Sequence, residues 1–176
     1  MLIYAPLFNN MESINKPKWG AVKMSYRFSR HRIHEIVNAS KVLTTGQSVE
    51  PENYGGNGLK FHAYVELADG PFLDIRYLGK ATQRTQPNSY DATLILDAER
   101  IRGVGFNPVK RENFRAKQRI PAGWHQNICD PNMPTTHPES NRHEPLADFH
   151  PTDFRDFTRK VAKMWNIDLN WESDLM

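Results

Sequence analysis

The chain has 176 residues, with 39% apolar and 11% aromatic side chains, a net charge of +3 and one cysteine. This length suits one domain around a single hydrophobic core, and the composition excludes a collagen-like, coiled-coil or wholly disordered chain. One cysteine cannot form an intramolecular disulfide, which favours a reducing, cytoplasmic compartment. The apolar run at 1–8 contains Pro6 and has no basic residue ahead of it, so we expect neither a signal peptide nor a membrane span.

The N-terminal part carries the weakest structural patterns. Three methionines fall early in the sequence, and we expect residues 1–24 to be a disordered or extended segment ahead of a single domain at 25–176. Apolar alternation at 22–28 predicts a strand, and apolar spacing at 33–37 predicts a helix. Residues 47–58 contain Pro, Gly and Asn without periodicity and predict a loop.

The clearest pattern is strand alternation in two successive hairpins. Apolar side chains alternate at 61–67 and again at 73–77, on either side of an Asp-Gly-Pro turn. A second pair of strands is indicated at 93–96 and 101–106, where glycines permit a bulge. Residues 124–128 add a short strand. We therefore expect an antiparallel meander of five or six strands.

The C-terminal part predicts an amphipathic helix. Its apolar stripe consists of Phe154, Phe157, Val161, Met164 and Trp165. Acidic residues lie in the first turn and basic residues toward the end, as the helix dipole prefers, and Thr152 is the expected N-cap. Because a small sheet must hide one face, this helix is expected to cover it. The predicted fold class is α+β, with an N-terminal helix as a further element.

Residues 100–120 carry seven basic side chains and one acidic side chain. A basic segment with aromatic neighbours is typical of a surface that holds phosphates and stacks bases. A smaller basic group around His31 and His34 predicts a charged face. The alternative is a solvated loop whose charges pair with acidic segments. The candidate nucleic-acid-binding residues are Arg100, Arg102, Lys110, Arg111, Arg115, Lys117, Arg119, Arg142 and Trp124.

Four of the seven histidines fall within 125–150. A mixed zinc site of His125, Cys129, His137 and His143 is one interpretation, but the spacing lacks any paired-ligand motif. Acid–base chemistry is the second: two imidazoles on opposite sides of a phosphodiester would remove a ribose 2′-hydroxyl proton and protonate the leaving oxygen. The third is hydrogen-bonded surface histidines. The catalytic candidates are His125 and His143, with neither metal nor cofactor expected.

The order of these features resembles the TumE-like group of bacterial toxin-antitoxin proteins and their uncharacterised relatives. The resemblance rests, in chain order, on Arg100–Pro108, Ile120–His125, Glu144–Leu146 and Trp165–Ile167. It implies a small α+β fold, a cytoplasmic bacterial or phage setting, an antitoxin partner and action on RNA, with His125 as the strand histidine of the family. This chain departs by carrying Gln126 and Asn127 in place of a His-x-His pair, and by a proline-rich insertion at 129–141.

Two functions from different classes follow. The first is a nucleic-acid-directed, toxin-like protein, specifically a metal-independent ribonuclease whose partners are RNA and an antitoxin. The second is a non-enzymatic interaction or inhibitor protein, encoded by a phage or mobile element, that binds a host protein. An enzyme loses turnover when one histidine is replaced, whereas an inhibitor loses binding through several surface positions.

Overall fold

The computed structural model describes residues 28–55, 58–82, 89–113, 118–128 and 142–170, and it confirms the α+β class. The helices of these segments are α1 (Arg30–Asn38) and α2 (Phe154–Met164). The strands of these segments are β1 (Lys41–Leu43), β2 (Glu52–Tyr54), β3 (Gly58–Leu67), β4 (Ile75–Thr82), β5 (Ser89–Leu96), β6 (Glu99–Asn107), β7 (Arg111–Asn113), β8 (Gln118–Ile120), β9 (Gly123–Ile128), β10 (Arg142–Pro145) and β11 (Ile167–Asp168).

Neither helix of the described segments is long and apolar enough to cross a membrane. The predicted segment 1–24 lies outside the described residues, as does the predicted strand at 22–28 except for Phe28.

The main sheet has the strand order β10-β9-β6-β5-β4-β3-β1-β11, and β2 pairs with β3. The six strands from β10 to β3 are the expected antiparallel meander, with the separate β7–β8 hairpin inserted between β6 and β9. Two features differ from prediction. The stretch 47–58 contains β2 and the first residue of β3, and β1 pairs in parallel with β11. Strands of two or three residues carry too few side chains to show a periodic pattern.

One face of the sheet packs against α2. Phe157 and Trp165 are fully buried there, and the Tyr77 hydroxyl donates a hydrogen bond to the Thr158 carbonyl at 2.8 Å. Residues of β3 to β5 alternate between buried and more exposed positions, as expected of a sheet with one covered face. The opposite face carries polar side chains, and we call it the polar face.

Helix α2 starts where the sequence predicts, but its N-cap is Asp153 rather than Thr152. The Asp153 carboxylate accepts a hydrogen bond from the backbone N–H of Asp156 at 2.8 Å. Thr152 instead donates its backbone N–H to the Asp156 side chain at 3.0 Å. Threonine and aspartate are both good N-caps, so side-chain preference could not decide between adjacent positions.

Helix α1 confirms the predicted N-terminal helix and is fixed to the sheet by a buried lysine. It buries Ile33, Ile36 and Val37. The Lys41 ammonium group, at the start of β1, donates hydrogen bonds to the carbonyls of Val37 at 2.9 Å and Ala39 at 2.5 Å. Burial lowers the pKa of Lys41 to about 8. This side chain therefore satisfies carbonyls at the end of α1 that no helical bond can reach.

Candidate active site

Cross-strand pairing arranges the side chains of the polar face in rows. One row contains Lys60, Lys80, Asp91, Gly105 and His125. The neighbouring row contains His62, Leu78, Thr93, Gly103, Asn127 and His143. Residues that pair directly across strands point to the same side of a sheet. Both rows therefore lie opposite α2, and the two candidate histidines lie at the same end of them.

His125 and His143 lie together, with their ring centroids 5.4 Å apart. His125 is 5% exposed, and its Nδ1 lies 3.3 Å from the Gly123 carbonyl oxygen. An Nδ1–H that donates to this carbonyl leaves Nε2 available to exchange a proton. Both ring nitrogens of His143 are buried and have no hydrogen-bond partner. The pair therefore places two proton-transfer groups in direct ring contact with each other.

The two imidazoles differ in proton affinity. Burial lowers the pKa of His125 from 6.5, against the opposing effects of its hydrogen bond to Gly123 and the charge of Asp91. Burial, with the nearby charges of His125 and Arg100, lowers the pKa of His143 to about 4. At pH 7 both rings are therefore mainly neutral in the free protein, and His125 is the one with neighbouring groups, Gly123 and Asp91, that favour its protonated form.

Arg100 reaches the same place through a β-bulge. Register shifts between Leu94 and Ile95, so that Ile95 pairs with Arg100 whereas Leu94 pairs with Arg102. A Cβ built at Gly103 would collide with Nη2 of Arg100, so the guanidinium occupies the space that glycine leaves open. Its Nε and Nη2 are buried and have no hydrogen-bond partner. These donors are free to bind an anion.

Two further polar groups complete the cluster. Asp91 is exposed at its surface, but the surrounding protein desolvates its carboxylate and raises its pKa, while the charges of Arg100 and His125 and a hydrogen bond from Thr93 act in the opposite direction. Asn127 is 8% exposed and its Oδ1 has no partner. Unpaired buried polar atoms are costly, about 1–3 kcal/mol each. Their concentration here marks a polar pocket whose hydrogen bonds are completed by water or by a polar ligand.

The titration of His143 is a direct check on this environment. We expect the imidazole of His143 in the free protein to titrate near pH 4, as measured by pH-dependent NMR of ¹³C-labelled histidine. The unfolded chain binds the proton near 6.5, so His143 stabilises the fold above that pH and the contribution is lost as pH falls from 6.5 toward 4. A His143 pKa at or above 6.5 would contradict the buried, cation-flanked environment.

Arg102 and Arg142 lie on the other face of the sheet, together with the histidines of α1. They line a cavity of about 590 Å³ whose walls are Arg30, His31, Ile33, His34, Arg102, Ile128 and Arg142. Arg142 also forms an ion pair with Glu144, at 2.6 Å between Nη2 and Oε1. Strand alternation separates Arg142 from His143. Neither arginine is therefore positioned to hold a phosphate between His125 and His143.

The other predicted nucleic-acid residues are dispersed. Lys110 precedes the β7–β8 hairpin and Arg111 and Arg119 lie in it, and all three are exposed. Arg115 and Lys117 lie outside the described residues. Trp124 faces the core, with its ring 5.4 Å from that of Phe157. Of the predicted phosphate-binding side chains that the structure describes, Arg100 is the one beside the histidine pair.

The alternative zinc site involves Cys129 and His137, which lie outside the described residues. Within the described segments, no group of three or more His, Cys, Asp or Glu side chains has an arrangement suited to a metal ion. Asp91 is a member of the cluster that sequence reasoning missed. Asp91 occupies a polar position of a strand in which apolar and polar residues alternate, and nothing in the sequence around it indicates a functional site.

No protein-family model, curated protein or solved structure matches this chain.

Proposed function

We propose that this protein is a metal-independent endoribonuclease in which His125 and His143 act on a phosphodiester held by Arg100. The supporting observation is the juxtaposition of two imidazoles, 5.4 Å apart, with a guanidinium whose buried Nε and Nη2 lack partners. An arginine provides a planar set of donors that matches phosphate oxygens. The proposal requires each ring to reach one of the two sugar oxygens bonded to that phosphate.

The proposed roles follow from the proton affinities. His143, neutral at pH 7, removes the proton of the ribose 2′-hydroxyl, and the 2′-oxygen forms a bond to phosphorus. Protonated His125 donates its Nε2 proton to the 5′-oxygen as the bond from that oxygen to phosphorus breaks. The products are a 2′,3′-cyclic phosphate and a 5′-hydroxyl. Asp91 stabilises the imidazolium of His125, and Arg100 stabilises the additional charge on the phosphate oxygens in the transition state.

Substrate binding must open this face locally. The ring nitrogens of His143 and the Nε and Nη2 atoms of Arg100 are all excluded from solvent. A phosphate that reaches them pairs donors that are otherwise unsatisfied, which offsets part of the cost of opening. Its negative charge also favours protonated imidazole, so substrate binding raises the pKa of both histidines.

The proposal is tested by product chemistry. The purified protein, in buffer with excess EDTA, is incubated with an end-labelled single-stranded RNA and with the same RNA bearing 2′-deoxyribose at each cleaved position. We expect cleavage of the first substrate, with 2′,3′-cyclic phosphate ends detected by mass spectrometry, and no cleavage at the deoxy positions. Loss of cleavage on chelation would contradict the mechanism. Absence of any turnover would favour the non-enzymatic interaction protein instead.

The cytoplasmic bacterial setting and the antitoxin partner belong to the proposal through the TumE-like resemblance. An antitoxin that blocks this activity would have to cover the polar face around His125 or prevent it from opening. Co-expression of an adjacent small gene, with RNA cleavage as the readout, tests that part separately.

A further inference from the structure

The polar face has a second feature, which lies three to five strands away from His125. Exposed aromatic and basic side chains of β2, β3 and β4 form what we call the β2–β4 strip, composed of Tyr54, Lys60, His62, Tyr64 and Lys80. Tyr54 is 48% exposed and Tyr64 is 42% exposed. The ammonium groups of Lys60 and Lys80 lie 4.7 Å and 5.5 Å from the centroid of the Tyr54 ring.

The second tyrosine of the strip also lies against a partner ring. The centroids of His62 and Tyr64 are 5.3 Å apart, with the ring planes inclined at 33°. A large aromatic ring on an exposed sheet face can pack on a neighbouring side chain with one surface and on a ligand with the other. Here two such rings keep one surface toward solvent while a neighbouring side chain holds them in place. The strip is therefore ordered before any ligand binds.

The register connects the strip to the candidate active site. Lys80 pairs with Asp91, Asp91 with Gly105, and Gly105 with His125. Three interstrand steps correspond to about 14 Å. A cavity of about 450 Å³ continues the strip toward Asp91, and its walls include Tyr54, Lys60, His62, Lys80, Asp91 and Thr93. A ligand that lies on the strip can thus continue across β5 and β6 to the histidines.

We infer that the β2–β4 strip binds single-stranded RNA and leads it to the histidine pair. Unpaired bases stack on exposed aromatic rings, and lysines beside those rings contact the backbone phosphates. In a duplex the bases are already stacked and paired, so their faces are not available to Tyr54 and Tyr64. This inference rests on the proposed function, because it assumes that the bound RNA is cleaved at the histidine pair. It adds that the substrate is single-stranded RNA.

The charges around the strip indicate how much of the RNA affinity comes from base stacking and how much from neutralisation of phosphates. Glu52 pairs directly opposite Lys60, and Arg76 is engaged by Asp74 at 2.8 Å. Acidic neighbours therefore offset part of the positive charge of this region. We expect base stacking to provide more of the RNA affinity than neutralisation of phosphates does. Binding should consequently depend less on salt than binding by a strongly basic surface.

The test measures binding with a substrate that cannot react. Fluorescence anisotropy is recorded with a labelled, fully 2′-O-methyl single-stranded RNA of about ten nucleotides. Stacking on one aromatic side chain corresponds to at least about a fivefold change in affinity. We expect Tyr54→Ala and Tyr64→Ala each to weaken binding about fivefold or more, and the double variant about 25-fold. Phe72→Ala is the matched control, because Phe72 is 80% exposed in the β3–β4 loop and lies outside the strip.

The outcomes are distinct. Unchanged affinity of the double variant, an equal loss with Phe72→Ala, or tighter binding of a duplex of the same sequence would overturn the inference. Circular dichroism of each variant excludes unfolding as the cause of a loss. Persistence of the fivefold effects at 0.5 M salt is expected, since stacking is not screened.

Failure of this inference is distinguishable from failure of the proposed function. Tyr64 and Tyr54 lie four and five strands from His125, or about 19 Å and 24 Å. A dinucleotide is too short to span these distances, so the strip variants should cleave a dinucleotide at the wild-type rate and a ten-nucleotide RNA more slowly. If wild type cleaves both substrates and the double variant matches it on both, the strip assignment is wrong and the nuclease proposal stands. If wild type binds RNA through the tyrosines and cleaves nothing, the nuclease proposal is wrong and the strip assignment stands.

Discussion

Replacement of His125 or His143 by alanine is expected to slow RNA cleavage by about 10²–10⁴-fold, because each change removes one of two positioned proton-transfer groups. The measurement is the single-turnover rate with a labelled RNA under saturating enzyme. The double variant should be little slower than the worse single variant, since the two groups act in one step. His150→Ala is the matched control, because His150 is exposed and lies outside the cluster. A histidine variant with wild-type rate would remove that residue from the mechanism.

The pH profile assigns the two roles. The proposed base must be deprotonated, which for His143 requires a pH above about 4. The proposed acid must be protonated, which for His125 requires a pH below its lowered pKa and therefore below 6.5. The profile of kcat/KM should be a bell with its maximum between these limits, whereas the kcat profile shifts to higher pH because bound phosphate raises both pKa values. A kcat/KM maximum above pH 7 would contradict this assignment.

Local pattern was sufficient for the elements that present long, regular faces. The alternation in β3 to β5 and the stripe of α2 are strong because these elements bury most of one face. The same alternation explains Trp124 and His125, which are adjacent on β9 and therefore point to opposite faces. The tryptophan packs in the core while the histidine joins the polar face. Predicting both as parts of one surface was inconsistent with the strand predicted for them.

The composition of the site could not be read from the sequence because it depends on register. Arg100 and Arg102 are two residues apart, so a regular strand would place both side chains on the same face. The bulge at Ile101 separates them, and only Arg100 faces the histidines. The pairing of β10 with β9 is equally non-local, since it brings His143 opposite Asn127 across the insertion at 129–141. Sequence reasoning named the two histidines as candidates but not the row that joins His125 to Asp91.

Replacement of Gly103 by alanine is expected to leave the protein folded and to slow RNA cleavage by about 10²-fold. The new methyl group would occupy the position of the Arg100 guanidinium, and the mobile end of an arginine moves more readily than the sheet does. Loss of one group that stabilises transition-state charge costs about 10²–10³-fold. Arg100→Ala should show a loss of that size, and Arg100→Lys an intermediate loss because lysine keeps the charge but not the planar set of donors. Single-turnover rates and urea unfolding measure the two effects separately.

A double-mutant cycle shows whether Gly103 acts through Arg100. In the Arg100→Ala background there is no guanidinium to displace, so adding Gly103→Ala should change the rate less than threefold. Gly105→Ala is the comparison, because its Cβ would lie 3.2 Å from Asp91 Oδ2 and leaves Arg100 in place; its loss should be the same in both backgrounds. If Gly103→Ala were equally harmful without Arg100, the glycine would be required for the backbone or the substrate. Gly103 would then not act by leaving room for the Arg100 guanidinium, and the role of Arg100 would rest on the Arg100→Ala result alone.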